Sequence, residues 1–571
     1  MRNYHCLLVS DFNVENLAGY LNNGEQPPVI KATAAPYGQV MQSLMTEDSI
    51  GGNQDFDFIV VWTQPQWVSQ SFARALNFEK VSHAQILSEV DEFCSLLIQR
   101  KLQADHILVP SWVIPTYHRG YGLLDMKDGL GLTNVLDQMN IRLAENLREQ
   151  HNIFILNTHR WIELSGKNAF NPKMWYLAKI AFGNEVFRYA AHDIWNFCQA
   201  ISGQYRKLVI VDLDDTLWGG ILGDEGIKNI RLGGHDPIGE AFVDFQKALK
   251  TLTNKGILLG IVSKNDEALA LEVVNQHPEM ILREKDFAGW RINWQDKAQN
   301  IIDLASELNL GLQSVVFVDD NPVERARVKE SLSEVYVPEW PQDKMLYAST
   351  LLGLSCFDMP VISPEDFKRS AMYVSDRERK NLKLSLNSYD DWVKTLETKV
   401  QVEGINSCNI QRVTQLLNKT NQMNLTTRRL TEEELKRWVG ERNHWMRVIR
   451  VSDKFGDAGL TGIMSLDANN DRGKIVDFIL SCRVMGRKIE ETMVCIVWSY
   501  ARDLKLNEIY AEFIPTSKNK PCFDFWRNSN FVYNQEKNQF SWRIEQEYKL
   551  PSFIRLDMPS LGRESQNEQF V

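Results

Sequence analysis

Residues 207–220 read Lys207-Leu-Val-Ile-Val-Asp212-Leu-Asp214-Asp215-Thr216-Leu-Trp218-Gly219-Gly220. The apolar run Leu208–Val211 predicts a buried strand that delivers two carboxylates, two residues apart, at its C-terminal end. In an open parallel sheet that edge is where ligands bind. Alternate residues share a face only while a strand stays extended. The chain must therefore turn just after Asp212, so that Asp212 presents its side chain while Asp214 bends over the same site.

Two carboxylates so placed suit phosphoryl transfer. Asp212 can attack phosphorus and form an aspartyl-phosphate. Asp214 can protonate the leaving group and later activate water. A dianionic phosphate repels a carboxylate nucleophile, so this chemistry needs Mg2+. Further pieces follow in order. Gly256–Val262 predicts a strand ending in Ser263, whose hydroxyl suits a phosphate oxygen. Lys297 opens a helix, Ala298–Leu308, and can balance the charge of nucleophile and phosphate. Ser314–Val318 predicts a third strand, followed by Asp319-Asp320-Asn321-Pro322, which offers hard oxygen ligands for the metal. Singly, each piece has an ordinary reading: a turn, a helix cap, a solvated lysine. All four in order are a specific signal.

Outward from this segment, apolar runs alternate with amphipathic stretches. His5–Val9, Phe56–Trp62, His106–Val109 and Ile153–Leu156 predict strands; Ser82–Arg100 and Thr133–Gln150 predict helices. The pattern is that of a parallel α/β domain over 1–202. A second α/β domain covers 203–342, closed by Pro338 and Pro341. A charged helical connector, 343–389, leads to a last domain over 390–550, and a polar tail follows at 551–571. A chain of 571 residues with net charge -10 is too long for one core and too acidic for a nucleic-acid coat. Its 8 Cys form no CxxC pair, which suits a reducing compartment. Met1–Ser10 lacks the basic and long apolar regions of a secretory leader, and no apolar run reaches membrane-spanning length. Cytoplasm is the expected location, with no membrane or nucleic-acid partner.

The DxDxT, Ser, Lys and DD motifs resemble those of the haloacid dehalogenase superfamily. That resemblance implies phosphate-binding roles for Thr216, Ser263 and Lys297, and magnesium ligation by Asp212, Asp214, Asp319 and Asp320. Thr216–Glu240 leaves room for a short flap but no cap domain, and Ser263–Lys297 leaves little more. The site is therefore expected to be open, suiting a large or tethered substrate.

Trp218-Gly219-Gly220, Asp319–Arg325, Asn418–Arg429, Phe455-Gly-Asp457 and Ser481–Arg487 resemble the FkbH-like family more closely. Membership would imply that a glyceryl unit is taken from 1,3-bisphosphoglycerate, dephosphorylated and placed on the phosphopantetheine thiol of an acyl carrier protein. The setting implied is polyketide or related secondary-metabolite biosynthesis. Asp215 departs from the pattern, where Asn is expected.

The last domain also resembles a GNAT-like α+β fold. Ile475–Leu480 predicts a strand, then Arg483-Val-Met-Gly486-Arg487 a turn, Glu490–Asp503 a helix and Glu508–Phe513 another strand. Such a turn before a helix suits an anion, here a pantetheine phosphate held with Arg483, Gly486 and Arg487. The ordinary reading of both arginines is surface salt bridging. Arg428 and Arg429 are expected to contact substrate or carrier. Cys482, between strand and helix and flanked by arginines, is a candidate thiol for a glyceryl thioester, against a buried structural cysteine.

The first domain resembles an SGNH-like α/β fold. Ser10 stands where that fold keeps its nucleophile, but the Gly-Asp-Ser order and a convincing Asp-x-x-His are missing. Ser10 reads as a cap and the domain as a degenerate scaffold. The whole chain thus reads as multidomain α/β, with a Rossmann-like haloacid dehalogenase domain lacking a large cap between SGNH-like and GNAT-like domains. Two other functions compete with glyceryl loading. One is a phosphatase of a sugar or glycerol phosphate, coupled to a coenzyme A-dependent acyltransferase in surface-polysaccharide assembly. The other is a non-catalytic carrier-protein-binding scaffold.

Overall fold

The computed structural model describes residues 3–24, 27–45, 56–100, 104–360, 367, 369–386, 388–420, 422–516 and 518–558. The chain divides into two units: Met1–Arg206 with Gly353–Val361, and Lys207–Leu352 with Ile362–Val571. The polar tail expected over 551–571 starts inside the fold, because Arg555–Asp557 pairs as a strand with Lys399–Gln401, and from 559 onward it lies outside the described residues. No helix among the described residues is long and apolar enough to cross a membrane.

In the first unit β1 (Asn3–Ser10), β2 (Val29–Ala34), β3 (Phe56–Trp62), β4 (Ala104–Pro110) and β5 (Ile153–Leu156) are all parallel, in the order β2-β1-β3-β4-β5. Both faces are covered, which is why the central strands read as unbroken apolar runs. Cys6, Leu8, Phe58 and Val60 pack toward the Asn184–Ile201 helix. Leu7, Val9, Ile59 and Val61 pack toward the His83–Arg100 and Leu132–Leu147 helices. Strand β2 carries no apolar run to read: it is an edge strand, and Ile30 is its one fully buried residue.

The second unit begins with β6 (Leu208–Val211), β7 (Leu258–Ser263), β8 (Phe287–Ile292) and β9 (Val315–Val318), parallel in the order β8-β7-β6-β9. Strand β6 is central. Val211 lies opposite Ile261 on one side and Val318 on the other. The register therefore brings Asp212, Ser263 and Asp319 to one edge. Leu208 and Ile210 pack with Ile301 and Leu304 of the Lys297–Glu307 helix. Between Thr216 and Glu240 stand a four-residue helix, Leu222–Glu225, and an antiparallel bridge, Gly219 to Arg231.

The same unit ends in a mixed sheet of β10 (Lys399–Glu403), β11 (Met423–Asn424), β12 (His444–Asp453), β13 (Gly456–Asn469), β14 (Arg472–Leu480), β15 (Glu508–Glu512), β16 (Val532–Asn534), β17 (Gln539–Arg543) and β18 (Arg555–Asp557). The order is β16-β17-β15-β14-β13-β12-β10-β18, with β11 on β14. Strands β14 and β15 run parallel, joined through the Ile489–Asp503 helix. They pair only over Arg472–Ile475 of β14. Beyond that point β14 turns its edge to β11, with Leu480 opposite Met423 and Ile479 opposite Asn424.

Residues 343–389, expected as one connector, divide among several roles. Tyr347 packs against Phe242 and Phe245 of the Pro237–Asn254 helix, whereas Gly353–Val361 belongs to the first unit. The Arg369–Ser385 helix ties the β6–β9 sheet to the last sheet. Arg377 donates to the Phe287 carbonyl at 2.8 Å and lies over the Trp290 ring. On the other side, Arg379 grips Asp453 through Nε and a terminal nitrogen at 2.7 and 2.8 Å, and Arg487 reaches the same carboxylate at 3.2 Å. Asp453 is buried between these two guanidinium groups. Asp453→Ala leaves the two buried guanidinium groups sharing Asp376 alone, and a loss of about 3–5 kcal/mol in the unfolding of this unit by denaturant is expected.

Candidate active site

The turn after β6 is built for its position. Asp212 N–H donates to the Val318 carbonyl at 3.0 Å, which pins the carboxylate at the sheet edge. Asp215 adopts φ 51°, in the left-handed region, and its Oδ1 accepts the Gly220 N–H at 3.1 Å. Asn and Asp enter that region more readily than other non-glycine residues and share the acceptor oxygen. That accounts for Asp at a position where Asn was expected. Gly220 has φ +95°, and a Cβ there would lie 2.5 Å from the Glu225 carboxylate.

Asp212, Asp319 and Asp320 place carboxylate oxygens within 4.8 Å of one another. Lys297, buried at the start of its helix, donates to Asp319 Oδ2 at 2.6 Å and lies 3.1 Å from Asp212 Oδ1. Asp212 Oδ1 is buried, with this ammonium as its near neighbour and no further hydrogen-bond partner. Burial pushes the Asp212 carboxyl up, against the pull of Lys297 and a hydrogen bond with Ser263. Burial and the Asp212 charge push Asp319 up to about 6, again against Lys297. Burial alone would depress Lys297, but the two carboxylates outweigh it and hold its ammonium raised. Carboxylates crowded together with an orphaned oxygen are a donor set that fits a hard divalent cation.

Asp214 was expected among the metal ligands, but its carboxylate falls outside this group. Trp218 Nε1 and Leu222 N–H donate to Oδ1 at 3.0 and 3.2 Å, and Asn265 Nδ2 donates to Oδ2 at 3.0 Å. Burial raises its carboxyl despite those donors. The arrangement holds the Asp214 carboxyl apart from the three carboxylates whose oxygens converge. Thr216, expected to bind phosphate, is buried. Its hydroxyl accepts the Asp320 N–H at 3.1 Å, fixing the Asp319-Asp320 turn. Ser263 is buried at the end of β7 with its hydroxyl on Asp212.

Three further residues complete the site. Asn265 stands two residues past Ser263, close enough to the motif to have been noticed. Arg325 donates to the Asp319 and Asp320 carbonyls at 2.7 and 2.6 Å. Lys344 donates to the Asp215 carbonyl at 2.8 Å and lies 3.4 Å from Asp320 Oδ2. Nothing in the sequence marks Lys344, because it returns to the site from a segment beyond the motif.

In the last domain the expected anion loop is already engaged. Gly486 N–H donates to Glu490 Oε1 at 2.7 Å. Arg487 is buried, with Asp376 at 3.0 Å, Asp453 at 3.2 Å and the Arg483 carbonyl as partners. Arg428 is likewise structural: it pairs with the fully buried Asp477 and covers the Trp438 ring. Arg429 donates to the Leu417 carbonyl at 2.5 Å. The Cys482 backbone opens a short 3-10 turn, Cys482–Val484, directly after β14, but its side chain lies outside the described residues. Arg483 lines a cavity of about 210 Å³ together with Phe455, Gly456, Asp457 and residues of the bridging helix, including Met372 and Ser375. Two motif runs far apart in sequence thus meet at one cavity.

The N-terminal part of BF1531 from Bacteroides fragilis, described as containing a phosphatase domain complexed with Mg, resembles this chain at 26% identity. That match has a TM-score of 0.57 and covers 63% of this chain and 95% of the other. Spermidine N-acetyltransferase from Vibrio cholerae, in complex with CoA and spermine, matches 25% of this chain and 92% of its own at 16% identity and a TM-score of 0.20. No family model and no curated protein matches. Fold and site together define a phosphatase-type α/β domain within a multidomain α/β chain.

Thr216→Val removes the acceptor for the Asp320 N–H. A stability loss of about 1–3 kcal/mol by denaturant unfolding is expected, restored by Thr216→Ser.

Proposed function

We propose that this chain is a magnesium-dependent phosphatase and glyceryl transferase. On this reading Asp212 is its nucleophile, and it loads a three-carbon unit from 1,3-bisphosphoglycerate onto an acyl carrier protein. The observation that carries the phosphatase half is the buried set of Asp212, Asp319, Asp320 and Lys297, with Asp214 poised beside it. The likeness to the Mg-bound phosphatase-containing protein supports the choice of metal.

Asp212, Asp319 and Asp320 would hold the magnesium, whose charge offsets the phosphate dianion that otherwise repels Asp212. An Asp212 oxygen attacks phosphorus, and the bond from phosphorus to the leaving oxygen breaks. Asp214, its carboxyl raised by burial, gives its proton to that oxygen. Asp214 then takes a proton from water as the water attacks the aspartyl-phosphate. Phosphate leaves and Asp212 is restored. Lys297 stays paired with both buried carboxylates throughout and limits their repulsion.

The transfer half rests on the cavity shared by Phe455–Asp457 and Arg483 beside the Cys482 turn. A thiol there would attack the acyl-phosphate carbon of the substrate, release phosphate and pass the glyceryl group to the carrier thiol by thioester exchange. Strand order, with a parallel β14–β15 pair after an antiparallel run, supports a GNAT-like reading of this domain. The Gly486 N–H and the Arg487 side chain are both engaged within the protein.

Incubation with 1,3-bisphosphoglycerate, magnesium and holo carrier protein, followed by mass spectrometry of the carrier, tests the whole reading. A glyceryl mass gain is expected, and an unchanged carrier would overturn the transfer half. Asp212→Asn should abolish phosphate release, and Asp214→Asn should slow it by about 10²–10⁴-fold. Chelation should stop release without loss of helix signal in circular dichroism. Cys482→Ala should stop carrier loading while sparing hydrolysis of a simple phosphate ester.

A further inference from the structure

The first unit contains a larger cavity, of about 500 Å³, remote in sequence from the phosphatase motifs. It opens past the C-terminal ends of β1 and β3. Strand β1 lies between β2 and β3, so the chain leaves β1 to one side and later returns to the other. Open parallel sheets bind ligands in the crevice formed at such a reversal of strand order. The volume falls in the range of small-molecule sites.

The lining is mixed in a specific way. Asp11, the first residue after β1, lies at the cavity. Its Oδ2 accepts the Gln64 N–H at 2.8 Å. Its Oδ1 is buried and has no hydrogen-bond partner. Burial pushes this carboxyl up to about 7. A buried acceptor left unpaired costs about 1–3 kcal/mol unless a ligand or water supplies a donor. Around it stand Tyr37, Trp67 and Trp175. Tyr37 is 51% and Trp67 59% exposed, an unusual amount of aromatic surface to leave in water beside a cavity. Lys179 completes the wall, its Nζ 5.1 Å from the centre of the Trp175 ring.

We propose that this cavity binds a neutral polyhydroxylated ligand, a sugar residue, with its C–H face on Trp67 and a hydroxyl donating to Asp11 Oδ1. The aromatic rings and the carboxylate alone would also suit an organic cation. Lys179 decides between the two, because an ammonium on the Trp175 face repels a second cation. The cavity lining has no Ser, His or Cys among the described residues. Ser10 is buried, and its hydroxyl accepts the Phe12 N–H at 3.2 Å, as a turn cap does. His192 shares a hydrogen bond with Ser355. The geometry thus favours holding a ligand over cleaving one.

Saturation-transfer NMR on the full chain, with separate samples of glucose, mannose, N-acetylglucosamine, maltose and tetramethylammonium, tests this. Transfer to at least one sugar and none to tetramethylammonium is expected. Asp11→Asn and Trp67→Ala should each weaken that sugar's binding by roughly tenfold or more. Phosphate release from a simple phosphate ester should be unchanged in both. Trp67→Ala keeps the test sound should the Asp11 variant fail to fold, since Trp67 lies largely in solvent. No transfer to any sugar at millimolar concentration, preferential binding of tetramethylammonium, or unaltered sugar binding by Trp67→Ala would overturn the proposal.

Discussion

One ammonium group buried between two carboxylates governs the middle of this protein. Lys297 sits at 2.6 Å from Asp319 and 3.1 Å from Asp212, and all three side chains are almost wholly removed from water. Burial pushes both acids up, and the Asp212 charge adds to the rise of Asp319. The sheet sets the condition by register: β6 and β9 end level, so the residues that follow them must be neighbours. A lysine at the first turn of the next helix, or a bound cation, relieves the repulsion. The site is stable only as a set, because removing any one charge leaves the others uncompensated.

The same set explains how much of the site was legible. DxDxT, Ser, Lys and the paired acids stand directly at strand ends or a helix start, so reading the apolar runs was enough to place them together. Most strands of both parallel sheets are visible for the same reason, being buried on two faces, but edge strand β8, whose apolar run is broken at Gly289 and Arg291, is not. Edge strand β2 escaped because only Ile30 marks it. Roles were harder to read than positions. Thr216 and Asp214 lie in the motif, yet what they touch depends on how tightly the turn closes. Lys344 and Asp320 meet only in three dimensions.

In the last domain a local motif meets distant partners. Arg487 has the look of an anion ligand ahead of a helix. Its actual partners, Asp376 and Asp453, come from the bridging helix and the end of β12. The cue nearer at hand was Glu490, one helical turn beyond Gly486, where a carboxylate can fold back on the loop it follows. Arg428 repeats the lesson: its partner Asp477 lies in the core of β14 and is also held by Ser465. Charged residues inside resembling motifs are as often struts as ligands.

The bridging helix gives these struts a common purpose. Arg377 on one face holds β8 through its carbonyls and Trp290, while Arg379 on another holds Asp453. Asp376, on the same helix, holds Arg487. Hence the turn carrying Cys482 is braced by the element that also touches the phosphatase-type sheet. The cavity beside Arg483 takes several of its walls from that helix. Motion of the helix would alter the cavity and its grip on β8 together, because the arginines that anchor both lie within one turn of each other. A shared helix pinned by buried ion pairs is a physical means of keeping the phosphatase-type sheet and the cavity of the last domain in step.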